Sequence, residues 1–267
     1  MDLWRDIIIF FAGLWAGTIN TIVGSGSLVT FPVLVALGFA PVNAVVSNAM
    51  GLVAGGFSGA WGYRREAATV WRTMLKLVPV SLVGGLIGAW LLLHLPDTVF
   101  GYVAPVLIVL ALLLVIFQPR LSAWAKGRQA ASVGVNPDEA DRTRIGPTLY
   151  ILVFLIGIYG GYFTAAQGIL LMAVFGIFLH ASLQQSNAIK VILSLVVNLV
   201  AAVSYLVFAP ERIHWPVVLL IAVGSLIGGF IGAKVGRKLS PGWLRLVIVV
   251  LGLVALANMV AKLIVGP

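Results

Sequence analysis

One short sequence occurs twice in this chain, in strongly apolar surroundings. Residues 81–89 read SLVGGLIGA and residues 225–233 read SLIGGFIGA. Trp71 and Trp215 precede the two copies at the same spacing, since 225 − 81 and 215 − 71 both equal 144. Two related halves embedded in a membrane are typical of secondary transporters, in which the substrate path lies between the repeats. The repeat therefore predicts a fold made of two similar halves.

The composition places these halves in lipid rather than in water. The chain has 267 residues, of which 61% are hydrophobic and 9% charged, and its mean hydropathy is +1.11. Soluble domains carry about a quarter charged residues. Because the backbone must satisfy its own hydrogen bonds in lipid, and the apolar runs lack strand alternation, they predict helices. We expect an all-α polytopic membrane protein in the inner or plasma membrane of the cell.

Apolar runs bounded by glycine, proline or charge divide the chain into ten segments. Residues 1–118 form the first predicted repeat, 119–146 a hydrophilic linker and 147–267 the second repeat. The second segment of each half is too short for a full crossing of about 20 residues. We therefore expect short or broken helices near 24–39 and 166–180. The ten predicted segments are 3–22, 26–39, 43–63, 73–94, 98–118, 147–166, 168–180, 184–209, 214–236 and 242–262.

The basic residues favour five crossings in each half, which makes the two repeats inverted. With ten crossings, one side of the membrane receives three cations, Arg5, Arg212 and Lys262. Lys190 lies within the membrane. This asymmetry predicts that both termini are outside and that the linker is cytoplasmic. If the short segments were re-entrant, each half would cross the membrane four times. Equivalent loops would then share a side but carry very different numbers of cations. The other side receives Arg64, Arg65, Arg72, Lys76, Arg120, Lys126, Arg128, Arg142, Arg144, Lys234, Arg237, Lys238 and Arg245.

Two polar interruptions of the helices are the first candidate binding groups. A helix that begins inside a membrane presents unpaired N–H groups and about half a positive charge. Two such ends facing each other would form an anion site. The alternative is a purely structural role, in which each interruption is a glycine bend at the membrane surface with its polar residues in water. The predicted substrate-binding residues at these interruptions are Gly24, Ser25, Gly26, Ser27, Gln167 and Gly168.

Further candidates lie deeper along the third segment of each half. Asn48 and Asn187 follow a serine at equivalent places, and Asn198 lies further along the second of these helices. Buried amides either line a solute path or hold helices together. Lys190 is the one cation inside an apolar run, so it either faces a cavity or extends its ammonium to the interface. Facing a cavity, it favours an anionic substrate.

Several chemistries lack the residues that they need. The acidic residues fall in loops or near segment ends, which disfavours a Na⁺ site or a carboxylate proton relay. The chain has no cysteine, hence no thiolate metal site and no thiol nucleophile. The net charge of +9 falls mostly in short loops, so it reflects topology rather than binding of nucleic acid. We expect no metal, no cofactor and no enzyme activity.

The same residues carry a resemblance to a known family. Residues 24–27 (GSGS) with Pro32, residues 47–51 (SNAMG) and residues 58–65 (SGAWGYRR) resemble the first-half signature of the sulfite exporter TauE/SafE family. In the second half, residues 157–162 (GIYGGY), the pair Gln167 and Gly168, residues 187–190 (NAIK) and Asn198 are similar to that family's pattern. The resemblance covers nearly the whole chain apart from the linker. It implies a permease for small anions, often sulfur-containing, such as sulfite, sulfoacetate and related organosulfonates.

The leading hypothesis is thus a secondary transporter, an exporter or permease, that moves a small anion by alternating access of two inverted halves. A passive anion channel or a non-transporting membrane scaffold is the second reading, and a homodimer is compatible with both. An intramembrane hydrolase is the least favoured, because Ser25 would need a histidine within hydrogen-bond reach and an oxyanion hole. His94, His180 and His214 all lie near predicted membrane edges.

Overall fold

Helices make up nearly all of the described chain. The computed structural model describes residues 3–132, 146–179, 181–235 and 241–265, and this part contains no strand. One 3-10 helix, Pro210–Arg212, joins two of the α-helices. The α-helices are α1 (Leu3–Ile22), α2 (Ser27–Ala36), α3 (Pro41–Gly62), α4 (Arg64–Thr69), α5 (Trp71–His94), α6 (Asp97–Ser132), α7 (Pro147–Phe163), α8 (Gln167–Phe178), α9 (Leu183–Phe208), α10 (Trp215–Val235) and α11 (Pro241–Val265).

Every predicted apolar segment overlaps one of these helices, and two features differ from the prediction. The short helix α4 follows α3 directly and was not predicted. Helix α6 continues past Pro119 to Ser132, into the segment predicted as a linker. Alanine, arginine and glutamine in residues 120–132 are good helix formers, so the loss of apolar character there does not end the helix. Residues 133–145 of the predicted linker lie outside the described residues.

Four described helices are long and apolar enough to cross a membrane. They are Trp71–His94, Asp97–Phe117, Leu183–Phe208 and Trp215–Lys234. Shorter apolar helices accompany them, among them α2, α7 and α8. Large apolar side chains remain exposed on the outer faces, including Phe11, Trp90 and Leu206. A surface of this kind is suited to lipid rather than to water.

Local sequence explains several of the helix ends. Pro41 and Pro147 lie at the first positions of α3 and α7, where the missing N–H has no partner to lose. Ser182 caps α9, and its side chain accepts from the Gln185 N–H while the Gln185 side chain accepts from Ser182 N–H. These signals fix where the long helices begin.

Close backbone contacts at glycine join the two halves. Helix α1 packs on α10, and α7 packs on α5, so the first apolar segment of each half lies against the fourth apolar segment of the other. A Cβ on Gly228 would overlap the Leu14 carbonyl, and one on Gly88 would overlap the Ile158 carbonyl. Such positions accept only glycine, which lets membrane helices approach closely. The halves are therefore interleaved rather than side by side.

Contacts at successive glycines also give the helix directions. Gly13 and Gly17 of α1 lie against Ile221 and Ser225 of α10, so these helices run the same way. Gly51 and Gly55 of α3 meet the same two residues, so α3 runs that way too. By contrast, Gly56 and Gly59 of α3 lie against Leu195 and Val191 of α9, in reverse order. Helices α3 and α9 are therefore antiparallel.

Candidate solute-binding site

The two predicted helix interruptions meet in the interior. The Gly168 N–H donates to the Gly24 carbonyl oxygen at 3.0 Å. A Cβ on Gly24 would lie 2.5 Å from the Gly168 Cα, and Gly24 has φ of +90°. These glycines are 144 residues apart, the same shift that relates the two SLxGGxIGA copies. The tips of the α1–α2 and α7–α8 hairpins thus touch at equivalent residues.

Strained backbone forms the second tip. Thr164 and Ala166 have φ of 61° and 59°, in the left-handed region that side chains with a Cβ rarely adopt. Each such residue costs on the order of 1–3 kcal/mol, and strain of this kind concentrates at functional sites. In the first tip the residue with positive φ is Gly24, whereas in the second tip neither residue with positive φ is a glycine.

A hydrogen-bond network around Asn48 ties the tips to α3. The Asn48 Nδ2 donates to Ser27 Oγ at 2.9 Å and lies 3.4 Å from Thr164 Oγ1. Ser27 Oγ and Thr164 Oγ1 are themselves 3.0 Å apart, and Thr30 Oγ1 donates to the Asn48 Oδ1. All four side chains are buried. Asn48 and Ser27, predicted as binding residues, therefore hold the two halves together in this conformation.

Lys190 brings a positive charge to the end of α1. Its Nζ donates to the Thr21 carbonyl at 3.0 Å and to the Asn20 carbonyl at 3.3 Å. Both oxygens belong to the last turn of α1, where a cation interacts favourably with the helix dipole. The side chain is 1% exposed, and it is the only charged residue in the buried class of the described chain. Its stem lies beside Gly24, so the charge is adjacent to the meeting of the tips.

Four other predicted residues are buried with an unpaired polar atom. The atoms are Ser25 Oγ, Gln167 Nε2, Asn187 Oδ1 and Asn198 Oδ1. Gly160 makes room for the Gln167 side chain, since a Cβ there would overlap its carboxamide. An unpaired polar group in a dry interior costs about 1–3 kcal/mol. Ser25 and Gln167 lie in the tips, and Asn187 and Asn198 lie on the same helix as Lys190. Such a set indicates a site that a polar solute or water satisfies.

Among the backbone N–H groups predicted as donors at the helix starts, those of Gly24 and Gly168 have backbone partners in this conformation. Gly168 N–H bonds Gly24, as described, and Leu28 and Val29 N–H donate to Ser25 and Gly26 carbonyls. Gly26 itself packs against the Ala16 carbonyl and the Asn20 side chain, where a Cβ would not fit. In the described residues no backbone partner is found for the N–H groups of Ser25, Gly26, Ser27 and Gln167. The site thus has free hydrogen-bonding capacity at the helix N-termini as well as in side chains.

The residues required for a hydrolase are not brought together. His94 lies 2.9 Å from the Trp90 carbonyl and stacks on the Trp90 ring, while His214 lies beside Asn43. His180 lies outside the described residues. Ser25 Oγ has no hydrogen-bond partner, so no described group acts as its base. In the described ranges no group of three or more His, Cys, Asp or Glu could hold a metal ion.

Sequence reasoning missed two contributors to this region. Thr30 completes the Asn48 network from the second turn of α2, and its partner lies 18 residues away on another helix. Ser194 of α9 is buried with an unpaired Oγ. It falls seven residues after Asn187 and four before Asn198, and this helical spacing was the signal that could have identified it.

Together these features define a polytopic helical membrane protein with a buried polar centre between two interleaved halves. Proteins of this class are membrane transporters in many known cases. The chain belongs to the sulfite exporter TauE/SafE family, which its sequence matches over residues 9–259. This is a family of membrane transporters, as the name of the family and the names of the relatives of this chain indicate.

Full-length relatives support this assignment. The chain is 25% identical over 264 residues to a "Probable membrane transporter protein" of Haemophilus influenzae, covering 97% of both sequences. It is 23% identical to the "Probable membrane transporter protein YfcA" of Escherichia coli K12, covering 94% of this chain and 88% of the relative. A "Probable membrane transporter protein ORF9" of Sinorhizobium is 24% identical, with 94% and 92% covered. No solved structure matches the chain.

Proposed function

We propose that this protein is a secondary transporter of a small anion, such as sulfite, sulfoacetate or another organosulfonate, in the cell membrane. One observation carries the proposal: a buried lysine lies beside the hairpin tips, and unpaired polar atoms are buried on the tips (Ser25, Gln167) and along the helix of that lysine (Asn187, Asn198). Lys190 supplies positive charge. Ser25 and Gln167 supply unused hydroxyl and amide donors. Small oxyanions and sulfonates accept hydrogen bonds from such groups.

The amide oxygens of Asn187 and Asn198 fit the same substrate class. Both are unpaired acceptors, which an anion alone does not satisfy. A protonated oxyanion or the water molecules that accompany an anion donate to them. The site thus suits a small, hydrated anion better than an apolar solute.

Two observations support an inverted arrangement of the repeats. Helices α3 and α9 hold equivalent places in the two halves and run antiparallel. The hairpin tips touch at Gly24 and Gly168, which are related by the repeat shift of 144 residues. A two-fold axis in the membrane plane relates such repeats in many carriers, and their substrate lies at the repeat interface.

The contact between the tips suggests how access alternates. With Gly168 bonded to Gly24, the polar atoms around the tips are buried. Movement of one hairpin relative to the other would break this single backbone bond and expose Lys190 and Gln167 to one side. The Asn48 network would hold Ser27 and Thr164 together until then.

Flux in proteoliposomes tests the proposal. Radiolabelled sulfite and sulfoacetate should enter vesicles that contain the wild-type protein, with saturation and with counterflow. Lys190→Met and Gln167→Ala should reduce this flux at least about tenfold, the loss expected when about 1.4 kcal/mol of solute binding is removed. Lys76→Met, which removes an exposed lysine from the start of α5, is the matched charge control and should retain the flux.

The same assay separates the competing readings. Flux without counterflow or saturation would identify a channel. Absence of any anion flux from folded, reconstituted protein would exclude the proposed substrates and favour a scaffold. Wild-type flux in both Lys190→Met and Gln167→Ala would remove these two residues from the site while leaving the transport function in place.

A further inference from the structure

Two serines on α9 differ in how their hydroxyls are satisfied. Ser204 Oγ donates to the Val200 carbonyl four residues earlier, at 2.9 Å. Serine and threonine in membrane helices commonly bond back in this way. Thr18 and Thr21 do so in α1, with the Leu14 and Gly17 carbonyls. Ser194 lies on the same helix as Ser204 and is buried, with 6% of the residue exposed, but its Oγ has no hydrogen-bond partner.

Ser194 lies in a row of polar residues along one face of α9. At about 100° per residue, Asn187, Ser194 and Asn198 project within about 40° of each other. All three are buried and all three have an unpaired side-chain atom. Val191 and Leu195 turn one flank of this face toward α3, and Val197 turns the other toward Gly85 of α5. The row therefore faces the interior of the bundle and not lipid.

The row extends past the hairpin tips. Lys190 lies one turn before Ser194, and its ammonium reaches the end of α1 while its stem lies against Gly24. A solute that leaves the tips along α9 would meet Ser194 next and Asn198 one turn later. Eleven residues of helix separate Asn187 from Asn198, which is about 16 Å at 1.5 Å per residue.

The equivalent interface, between α3 and α10, is closed by the hydrogen bonds of its serine. Ser225 of α10 donates to the Gly51 carbonyl at 2.9 Å and accepts from the Gly55 N–H at 3.1 Å. Its repeat equivalent on α5, Ser81, is 0% exposed and has no partner. Helix α5 packs on α9, where Lys190 and Ser194 hold the places of Gly51 and Gly55. Hydrogen bonds close the α3–α10 interface, whereas the helices of the α5–α9 interface carry hydroxyl groups without a partner.

We propose that Ser194 contacts the transported anion or its hydration water, and that the solute path follows the row of Asn187, Ser194 and Asn198 on the α5–α9 side. This inference rests on the proposed transport function and makes the two halves unequal. The α9 half supplies the path, and the α3 half supplies a closed packing surface. Ser194 acts through a hydroxyl that can both donate to an oxyanion and accept from water.

Cysteine accessibility tests this path, and the natural chain contains no cysteine to remove. Single variants Ser194→Cys and Ser204→Cys are reconstituted and treated with 2-sulfonatoethyl methanethiosulfonate, a charged reagent that is itself a small sulfonate. Ser204 is 8% exposed and lines an apolar groove with Trp90 of α5, so it is a control of similar burial outside the polar row. Ser194→Cys should react at least about tenfold faster, because a charged reagent enters a hydrated path more readily than an apolar interior. Sulfoacetate should slow the reaction.

Flux measurements complete the test. Ser194→Ala should lower sulfite or sulfoacetate flux, and Ser204→Ala should leave it unchanged. If wild-type flux is present but Ser194→Cys reacts no faster than Ser204→Cys, the path is overturned and the transport function stands. If Ser194→Cys reacts selectively but no flux of either anion occurs, the proposed substrates are overturned and the path stands. If Ser194→Cys is inert and flux is absent, both fail.

Discussion

Two glycines with nearly the same positive φ differ in what surrounds them. Gly24 and Gly38 have φ of +90° and +92°. A Cβ on Gly24 would lie 2.5 Å from the Gly168 Cα, whereas one on Gly38 would meet nothing within 4 Å. The pair separates the conformational cost of a positive φ from the steric cost of the tip contact.

Gly24→Ala should therefore be much more damaging than Gly38→Ala. We expect Gly38→Ala to lose about 1 kcal/mol, from the left-handed conformation alone. Gly24→Ala should lose that plus an overpacking cost of about 1–3 kcal/mol, and it should force the tips apart. Thermal unfolding of the two purified variants in detergent checks this. Equal losses of stability would show that the tips do not touch.

Asn48 gives a second prediction at this scale. Asn48→Leu removes the shared partner of Ser27, Thr30 and Thr164. Ser27 and Thr164 still bond each other, but the buried Thr30 hydroxyl becomes unpaired, at a cost of about 1–3 kcal/mol. Asn43→Leu, at the exposed start of the same helix, removes a single 3.4 Å contact with His214. The melting temperature should fall clearly for the first variant and little for the second. Similar values for both would mean that the network does not stabilise the fold.

At the scale of the helices, the two glycine interfaces differ in register. Gly228 lies on Leu14 and Gly88 lies on Ile158. The partners are related by 158 − 14 = 144 residues, but the glycines by 228 − 88 = 140. The α5–α7 pair is thus displaced by four residues, one helical turn, relative to α1–α10. Val80 explains the displacement. Without the displacement, Val80 would lie where Gly84 lies now, and its side chain would overlap the Phe154 carbonyl.

These interfaces predict which glycines are indispensable. Gly228→Ala places a methyl group on the Leu14 carbonyl and should prevent α1 and α10 from packing. Gly101→Ala, in α6, adds a methyl group where nothing lies within 4 Å, and it should be neutral or stabilising by up to about 1 kcal/mol. The yield of monodisperse protein after detergent extraction measures this difference. Equal yields would contradict the close approach of α1 and α10.

Hydropathy predicted the helices well, because each helix in lipid must present apolar side chains on its outer face. The bends at residues 24–27 and 166–168 were also predicted, from polar residues within apolar runs. Partners between halves were not: nothing near Asn48 in sequence indicates Thr164, and nothing near Lys190 indicates the end of α1. The positive φ of Thr164 and Ala166 was also missed, since neither is glycine. The one-turn displacement follows from packing and has no local signal.

At the scale of the whole molecule, contacts between helix ends bear on the number of crossings. Arg212 Nη1 lies 2.8 Å from Asp97 Oδ1, between the 3-10 helix and the start of α6. At the opposite helix ends, Gln185 Nε2 donates to Thr69 Oγ1 at 3.0 Å. Five crossings per half place each pair on one side of the membrane. Four crossings per half would place the members of each pair on opposite sides.

Labelling of single cysteines in intact cells tests this arrangement. The Asp97–Arg212 ion pair is exposed and contributes only about 0–1 kcal/mol, so either residue can be replaced without loss of the fold. Asp97→Cys and Arg212→Cys should both react with an impermeant maleimide added outside. Arg65→Cys, after α3, should react only once the membrane is permeabilised, as the excess of cations on its side predicts. Reaction of Arg212→Cys without Asp97→Cys would instead require four crossings per half. The two hairpins would then enter from the same side, and a solute held between their tips would have no second side to reach.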